Sequence, residues 1–383
     1  MKRSFDVAVI GAGIMGLANA WTAARKGLSV ALFERHPQAQ GASVRNFGMI
    51  WPIGQPAGTC RETALHSRAR WLELSQAAGF WTTTCGSLHL AYREDELAVL
   101  EEFSAASTDD DSVQLLMPAQ VLKKSPAANP DGLLGAMWSP HEMGINPYEA
   151  IASIPRWLHH SFDVQLNFAT PVTAVDHPRL TTSDGQTWNA DRIVVCSGSD
   201  FETLFPESFQ QLGVTRCKLQ MMRTARQPNG WKMGPFIAGG LTLQHDTTFG
   251  SCPALAVLRK RIEEETPEIN RSGIHVLAAQ NNSGELILGD SHEYGEDISI
   301  FDKTEIDHII LRELKRLMRP PSFDVTRRWH GIYAKPSESS HVEFDPQSGV
   351  KIVITPGGAG MTMALGLSQQ IWDNWSGSSQ GSR

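Results

Sequence analysis

Residues 5–10 (FDVAVI) form a run that is apolar but for Asp6, the pattern of a strand buried on both faces of a parallel sheet. A helix over 14–26 and a second apolar run at 29–33 follow, so the chain opens on one βαβ unit. Helical periodicity returns over 62–78 and 94–106. The acidic run Thr108-Asp109-Asp110-Asp111 after it reads as a solvated surface loop. Pro147 suits the first turn of a helix over 147–160, because proline lacks the N–H that a first turn leaves unused. Short strands are predicted at 172–175 and 192–195, with Ser183-Asp184-Gly185-Gln186 as a hairpin turn. Asn281-Asn282-Ser283-Gly284 is a second turn, leading into Leu286-Ile287-Leu288. A strongly amphipathic helix is expected over 302–318 and a last apolar strand over 350–354, followed by glycines and a closing helix through Trp375. The Gly/Ser-rich tail 376–383 is expected to be disordered, and no internal repeat is present.

With 383 residues the chain is long enough for two domains. Its net charge of -7 argues against nucleic acid as the main partner, since phosphate backbones need a cationic surface. Five scattered cysteines, an odd number without C-x-x-C spacing, fit a reducing compartment better than a disulfide framework. Lys2 and Arg3 before an apolar run ending at Ala18-Asn19-Ala20 have the layout of a signal peptide. Cleavage there would remove three glycines at functional spacing, so the segment is read as part of the fold. No other apolar stretch reaches 18 residues, and a cytoplasmic protein with no membrane partner is expected.

Those glycines lie in Gly11-Ala12-Gly13-Ile14-Met15-Gly16, between a predicted strand and a predicted helix. The first permits a tight turn, the second a close backbone approach to a pyrophosphate, and the third close packing of helix on strand. The helix N-terminus adds partial positive charge for the phosphates. Glu34 ends the second strand, where a carboxylate accepts hydrogen bonds from ribose hydroxyls. NAD and FAD both use this arrangement.

Three further segments decide between them by resemblance. The run Gly41-Ala42-Ser43-Val44-Arg45-Asn46-Phe47-Gly48-Met49 resembles the second flavin-contacting loop of the D-amino-acid oxidase superfamily. The segment 190–198, ending in Cys196-Ser197-Gly198, is similar to the strand that those flavoproteins set beside the cofactor. Thr355-Pro356-Gly357-Gly358-Ala359-Gly360-Met361-Thr362 resembles their closing loop. The resemblance is closest to the glycine oxidase and sarcosine oxidase branch. It implies an α/β fold in which a Rossmann-like FAD-binding domain (1–85, 140–215 and 325–383) interleaves with an α+β substrate domain (86–139 and 216–324). The substrate domain would hold a large, mostly antiparallel sheet. The expected cofactor contacts are Gly11, Gly13, Ile14, Met15, Gly16, Glu34 and Arg35, then Ala42, Ser43, Arg45, Asn46, Phe47, Gly48 and Met49. Val172, Ser197 and Gly198 follow, with Gly357, Gly358, Ala359, Gly360, Met361 and Thr362 at the far end. Sarcosine oxidases tether flavin through a cysteine near the closing loop; none follows Cys252 here, so noncovalent FAD is expected.

The resemblance also implies the chemistry. A carbon bonded to nitrogen gives hydride to flavin N5, the imine hydrolyses, and oxygen becomes hydrogen peroxide. No dedicated protein base is needed, because the protein supplies orientation and electrostatics. Two departures matter. Where the branch carries a carboxylate-gripping arginine, Arg328-Trp329-His330-Gly331-Ile332-Tyr333 places Tyr333, which lacks a cationic fork. Where sarcosine oxidases carry an oxygen-activating lysine, Ile287 falls. The candidate catalytic residues are therefore Tyr333, His330, His245 and Arg45, with His292 and Lys335 in segments expected near the ring. Each has a plainer alternative: structural histidines, Arg45 serving the FAD phosphates, Trp51 as core packing, Lys218 marking a domain crossover. The run 41–55 resembles a bacterial subgroup associated with aminophosphonate breakdown, implying 2-aminoethylphosphonate or its N-methyl form as substrate. The competing functions are a dehydrogenase using an acceptor other than oxygen, and a non-catalytic FAD-binding assembly subunit.

Overall fold

The computed structural model describes residues 3–107, 113–295, 297–336, 342–354 and 357–377. The acidic run at 108–111, Thr355, Pro356 and the tail beyond 377 lie outside them.

The opening βαβ unit forms as its apolar pattern predicts. Strand Ser4–Ile10 runs parallel to Val30–Phe33 on one side and to Thr187–Val195 on the other. Val350–Ile354 and Gln165–Asn167 extend the parallel order outward, and the meander Val172–Asp176, Arg179–Thr182, Thr187–Val195 adds antiparallel strands. Both faces of this eight-stranded sheet are covered, which is why its central strands need no polar alternation. Helix Ile14–Arg25 buries all but its last residue, and its run of alanines lets other helices come close. Helix Gly360–Gly377 packs against it through Trp372, whose indole N–H donates to Asn19 (3.0 Å), and through Ser368, hydrogen-bonded to Thr22 (2.9 Å). The closing helix thus runs two residues past Trp375, where a disordered tail is expected from the composition. Helix Pro147–Phe162 starts as predicted, with Pro147 in its first turn and the Asn146 side chain accepting from the N–H groups of Tyr148 and Glu149.

A second sheet has nine strands, all but one of its pairings antiparallel. Its spine is Thr215–Arg226 paired with Val325–Lys335 from Thr215 opposite Lys335 to Thr224 opposite Val325. The expected division counts residues 325–335 with the cofactor domain. They lie instead in the nine-stranded sheet, because this register joins them to Thr215–Arg226 along almost their whole length. The amphipathic helix Thr304–Leu317 buries Ile306, Ile309, Ile310, Leu314 and Leu317 in the core on this sheet. The expected class, a parallel dinucleotide-type sheet beside a large, mostly antiparallel one, is the observed architecture. All five cysteines are free thiols, and among the described residues no helix is long and apolar enough to cross a membrane.

Candidate active site

One elongated cavity of about 310 Å³ runs from the C-terminal ends of the parallel strands to the nine-stranded sheet. That volume falls in the range of small-molecule sites. At its first end the three glycines separate by role. Gly11 adopts φ +101°, and a side chain there would meet the Cys196 carbonyl oxygen at 2.2 Å. A side chain at Gly16 would meet the Gly11 carbonyl oxygen at 1.7 Å, so the helix rests directly on the turn. Gly16 accordingly does not line the cavity, while Gly11, Gly13, Ile14 and Met15 do. At Gly13 the only near neighbour would be Ser43 Oγ, at 3.1 Å, and the helix begins there without a side-chain cap. Apart from the Ile14 N–H, which Ser43 Oγ accepts, the opening N–H groups have no side-chain partner among the described residues, as an anion site requires.

Glu34 is buried and holds the turn. One carboxylate oxygen accepts from the Ala12 N–H (2.9 Å), the other from the His36 N–H (3.0 Å). Each oxygen keeps capacity for a second donor, so ribose hydroxyls can be received without breaking either bond. Glu34→Ala is expected to strip FAD at least about tenfold more readily, because the Ala12 N–H also loses its partner at a cost of about 1–3 kcal/mol. Turnover of the FAD-loaded variant should change little. Equilibrium FAD titration beside steady-state rates at saturating FAD checks both halves.

Arg35 lines the same end, ion-paired with Asp200, and Ser197 and Gly198 border it, Ser197 Oγ donating to the Asp200 carbonyl (2.9 Å). Val172 completes the wall. The loop after Gly41 docks on the helix start, where Ser43 Oγ accepts from the Ile14 N–H (2.9 Å). Ala42, Ser43, Arg45 and Asn46 line the cavity. Phe47, Gly48 and Met49 do not: they shape the loop from behind. Asn46 Oδ1 accepts from the Gly48 N–H (2.8 Å), a side chain at Gly48 would strike the Ile145 carbonyl at 2.2 Å, and Met49 pairs with Gly144 as strand.

At the far end stand Gly357, Gly358, Gly360 and Met361, facing Tyr333. A Cβ on Gly357 or Gly358 would come within 3.6–3.7 Å of the Tyr333 ring or hydroxyl. Ala359 and Thr362 are turned away, the latter accepting from the Trp51 N–H (2.9 Å). Tyr333 is buried, and burial, followed by the neighbouring Cys217 thiol, pushes its phenol well above its ordinary value. It therefore keeps its proton and serves as a hydrogen-bond donor.

Of the other substrate-side candidates, Arg45 is the one in the cavity, its guanidinium reaching the His330 carbonyl at 3.5 Å. His330 is not. Side chains alternate along a strand, so Trp329 and Gly331 meet Arg45 while Arg328 and His330 face Asp307 and Asp302; nearer the strand's end Ile332, Tyr333 and Ala334 all line the cavity. His330 Nδ1 lies 2.9 Å from Asp302, which also receives Lys218 Nζ (2.9 Å). Lys218 is fully buried and donates to the Ser299 and Phe301 carbonyls as well, anchoring that loop. His245 lies outside the cavity lining too, in a stack with His275 and His292 whose ring centres are 5.1–5.8 Å apart. Burial depresses these imidazoles to about 3, 4 and 4, so at neutral pH they carry no charge for a substrate anion. His275 escaped the sequence analysis. Ile287 is buried on the same strand face as Gly289, whose Cβ would come 3.3 Å from the Phe47 ring, so this strand presents no lysine to the loop.

Trp51 is core, its indole N–H donating to Asp246 (3.1 Å). Burial lifts Asp246 to about 7, with the Trp51 bond opposing and the charges of Asp290 and Glu142 adding. The folded protein therefore holds this proton more tightly than the unfolded chain, whose carboxyl titrates near 4. Stability contributed here is lost as pH rises from about 4 to about 7, and is flat above. Asp246→Asn keeps an acceptor for Trp51 and is expected to raise Tm more at pH 8 than at pH 5, a difference of about 1 kcal/mol or more. Equal gains at both pH values in thermal melts would contradict this.

The residues fit FAD on the chain's own geometry: a glycine cradle at an uncapped helix start, an acid at the second strand end, and a glycine loop facing Tyr333. Comparisons with known proteins agree. The family described as FAD dependent oxidoreductase (DAO) matches residues 6–373. Glycine oxidase of Bacillus subtilis (strain 168) is 26% identical over 238 residues, 57% of this chain and 60% of its own. The tRNA 5-methylaminomethyl-2-thiouridine biosynthesis bifunctional protein of Burkholderia ambifaria (strain MC40-6) is 35% identical over 121 residues, 30% of this chain and 19% of its own. The chain therefore spans between 19% and 60% of these relatives' lengths. Among solved structures, glycine oxidase from Geobacillus kaustophilus has a TM-score of 0.76 at 19% identity, covering 97% of this chain and 94% of its own. L-proline dehydrogenase from P. horikoshii has a TM-score of 0.76 at 17% identity, covering 99% and 95%. These two likenesses establish the fold. With its family matched over nearly the whole length, the chain belongs to the DAO family of FAD-dependent oxidoreductases, and its cofactor is FAD.

Proposed function

We propose that the protein oxidises a small primary or secondary amine bearing an anionic group, releasing an aldehyde or oxo acid and an amine. The observation that carries this reading is the single cavity joining the N-terminal glycine turn to Tyr333 and the far glycine loop. Bound FAD supplies a two-electron acceptor for the hydride on the substrate's C–N carbon. The chain's own residues bind and orient. Tyr333 donates one hydrogen bond from a buried, protonated phenol, and Arg45 adds a positive charge on the same strand-facing side. Cys196, which lines the cavity, has its thiol pushed up to about 12 by burial, which supports noncovalent retention of the cofactor. The proposed FAD-binding part comprises residues up to 85, 140–215 and the chain after Lys335; the substrate part comprises 86–139 and 216–335.

The absence of a cationic fork at Tyr333 favours an anion that takes several separate donors over an α-carboxylate. We assign 2-aminoethylphosphonate or its N-methyl form as the preferred substrate. The donors are fewer than the sequence suggests: His330 faces away, His245, His292 and Lys335 lie outside the cavity lining, and Arg45 and Tyr333 remain. Lys335 Nζ sits 3.3 Å from the Tyr294 hydroxyl. Oxygen is the proposed acceptor, and five free thiols support a reducing, cytoplasmic setting. Buried Ile287 favours one second reading, a dehydrogenase that passes electrons to another carrier.

Screening aminophosphonates, N-methyl amines and amino acids for peroxide release by the FAD-loaded protein tests the function. Peroxide with an aminophosphonate supports the proposal in full. Turnover only with an artificial acceptor supports the dehydrogenase. If no amine bleaches the flavin anaerobically, the protein is a non-catalytic FAD carrier and the proposal fails.

A further inference from the structure

Beyond the turn at 281–284 the hairpin Leu277–Gln280/Glu285–Gly289 continues as an irregular antiparallel pair. His275 and Asp290 exchange backbone hydrogen bonds in both directions, and the His292 N–H donates to the Ser272 carbonyl (3.3 Å). Asp290 and His292, two apart on extended chain, therefore share a face, and His275 lies across from them. The ligating atoms of His275, Asp290 and His292 all lie within 4.8 Å of one another. This set lies outside the cavity described above and has no part in the proposed oxidation.

We infer that His275, Asp290 and His292 form a binding site for one divalent transition-metal ion of the Zn²⁺ class.

Four observations carry this. First, polar atoms of these residues lack hydrogen bonds: His275 Nε2 and Asp290 Oδ1 are buried without one, Asp290 being 4% exposed. Such groups cost about 1–3 kcal/mol each when left alone, and native proteins satisfy them through water or an ion. Second, His292 is set up as a ligand. Its Nδ1–H donates to the Gly273 carbonyl (3.0 Å), which fixes the tautomer and leaves the Nε2 lone pair available, as in known metal-histidine sites. Third, the charge has the right sign. Asp290 has no lysine or arginine ion-pair partner among the described residues; its one pairing is with His275 at 3.5 Å. A carboxylate with no lysine or arginine beside it suits a cation and not an anion. Fourth, two imidazole nitrogens and one carboxylate are the donor set that zinc and its neighbours prefer over Mg²⁺ or Ca²⁺.

The surroundings reinforce the reading. The His245 ring stacks 5.1 Å from His275, its Nε2–H donating to the Ile274 carbonyl (3.1 Å). His89 is buried with neither ring nitrogen hydrogen-bonded. Three protein ligands leave at least one coordination position for water or another oxygen donor.

The test uses FAD-loaded protein stripped with a chelator and then titrated with Co²⁺ or Zn²⁺. One equivalent retained through gel filtration, in the presence of excess Mg²⁺, is the expected result. Asp290→Asn and His292→Ala should each weaken retention about 100-fold, with FAD content and circular dichroism unchanged. X-ray absorption of the Zn²⁺-loaded wild type should show scattering from two imidazoles, a readout independent of how the variants fold. Failure of the wild type to retain either metal, unchanged retention in both variants, or a zinc shell without imidazole would each overturn the site. None of these outcomes bears on amine oxidation, which the peroxide screen decides separately.

Discussion

Gly13→Val is expected to yield a folded but colourless protein, whereas Gly16→Val should yield little folded protein at all. The two glycines sit three residues apart in one motif, and the geometry separates them. At Gly13 the backbone is extended (φ -69°, ψ 176°), which valine tolerates. Its Cβ would meet only Ser43 Oγ at 3.1 Å, a contact that a serine hydroxyl can relieve. The added methyls would then occupy the cavity where a pyrophosphate approaches the uncapped helix. FAD affinity should fall about 100-fold or more, while the melting transition of apoprotein stays close to that of wild-type apoprotein. At Gly16 a side chain would overlap the Gly11 carbonyl oxygen, backbone against backbone, with no rotamer to escape through. Overpacking of this kind costs about 3 kcal/mol or more. FAD content and thermal melts of both variants are the measurements. A yellow Gly13→Val protein would remove the pyrophosphate from this turn.

Tyr333→Phe should lower kcat/KM for the amine about 10–100-fold at unchanged FAD content. The phenol keeps its proton, so its contribution is one hydrogen bond to a charged oxygen, about 1.5–3 kcal/mol in such a setting. Phenylalanine keeps the ring against Gly357 and Gly358, so the closing loop has no reason to move. Loss of FAD from this variant, or undiminished turnover, would take Tyr333 out of the substrate pocket.

Much of this site was legible in the sequence because backbone demands leave few residue choices. A helix that rests on a turn needs glycine at 16, a doubly covered strand reads as FDVAVI, and an acid after the second strand has one obvious partner. His330 shows what pattern reading still had to offer. It is an odd number of positions from Tyr333 on one strand, so the two side chains point to opposite faces and His330 turns to Asp302; parity alone does not set the lining, since Ile332 and Ala334 reach the cavity as well. His275 was also within reach: extending the hairpin predicted at 281–284 back by a few residues brings it opposite Asp290. The strand Thr215–Arg226 was harder to see. Cys217, Leu219 and Met221 alternate with Lys218 and Gln220, the pattern of a half-exposed strand. Yet Lys218 and Gln220 are buried beneath the loop and helix start at 299–307, where they satisfy carbonyls. Nothing local in the sequence announces that cover.

The union of Ile14–Arg25 with Gly360–Gly377, sealed by Trp372 on Asn19, sets a schedule for biosynthesis. The glycine turn leaves the ribosome roughly 340 residues before the helix that backs it and the loop that faces Tyr333. A nascent chain must therefore carry an unfinished, largely apolar cleft until Gly360–Gly377 is made, and cofactor loading becomes an event that waits for that helix.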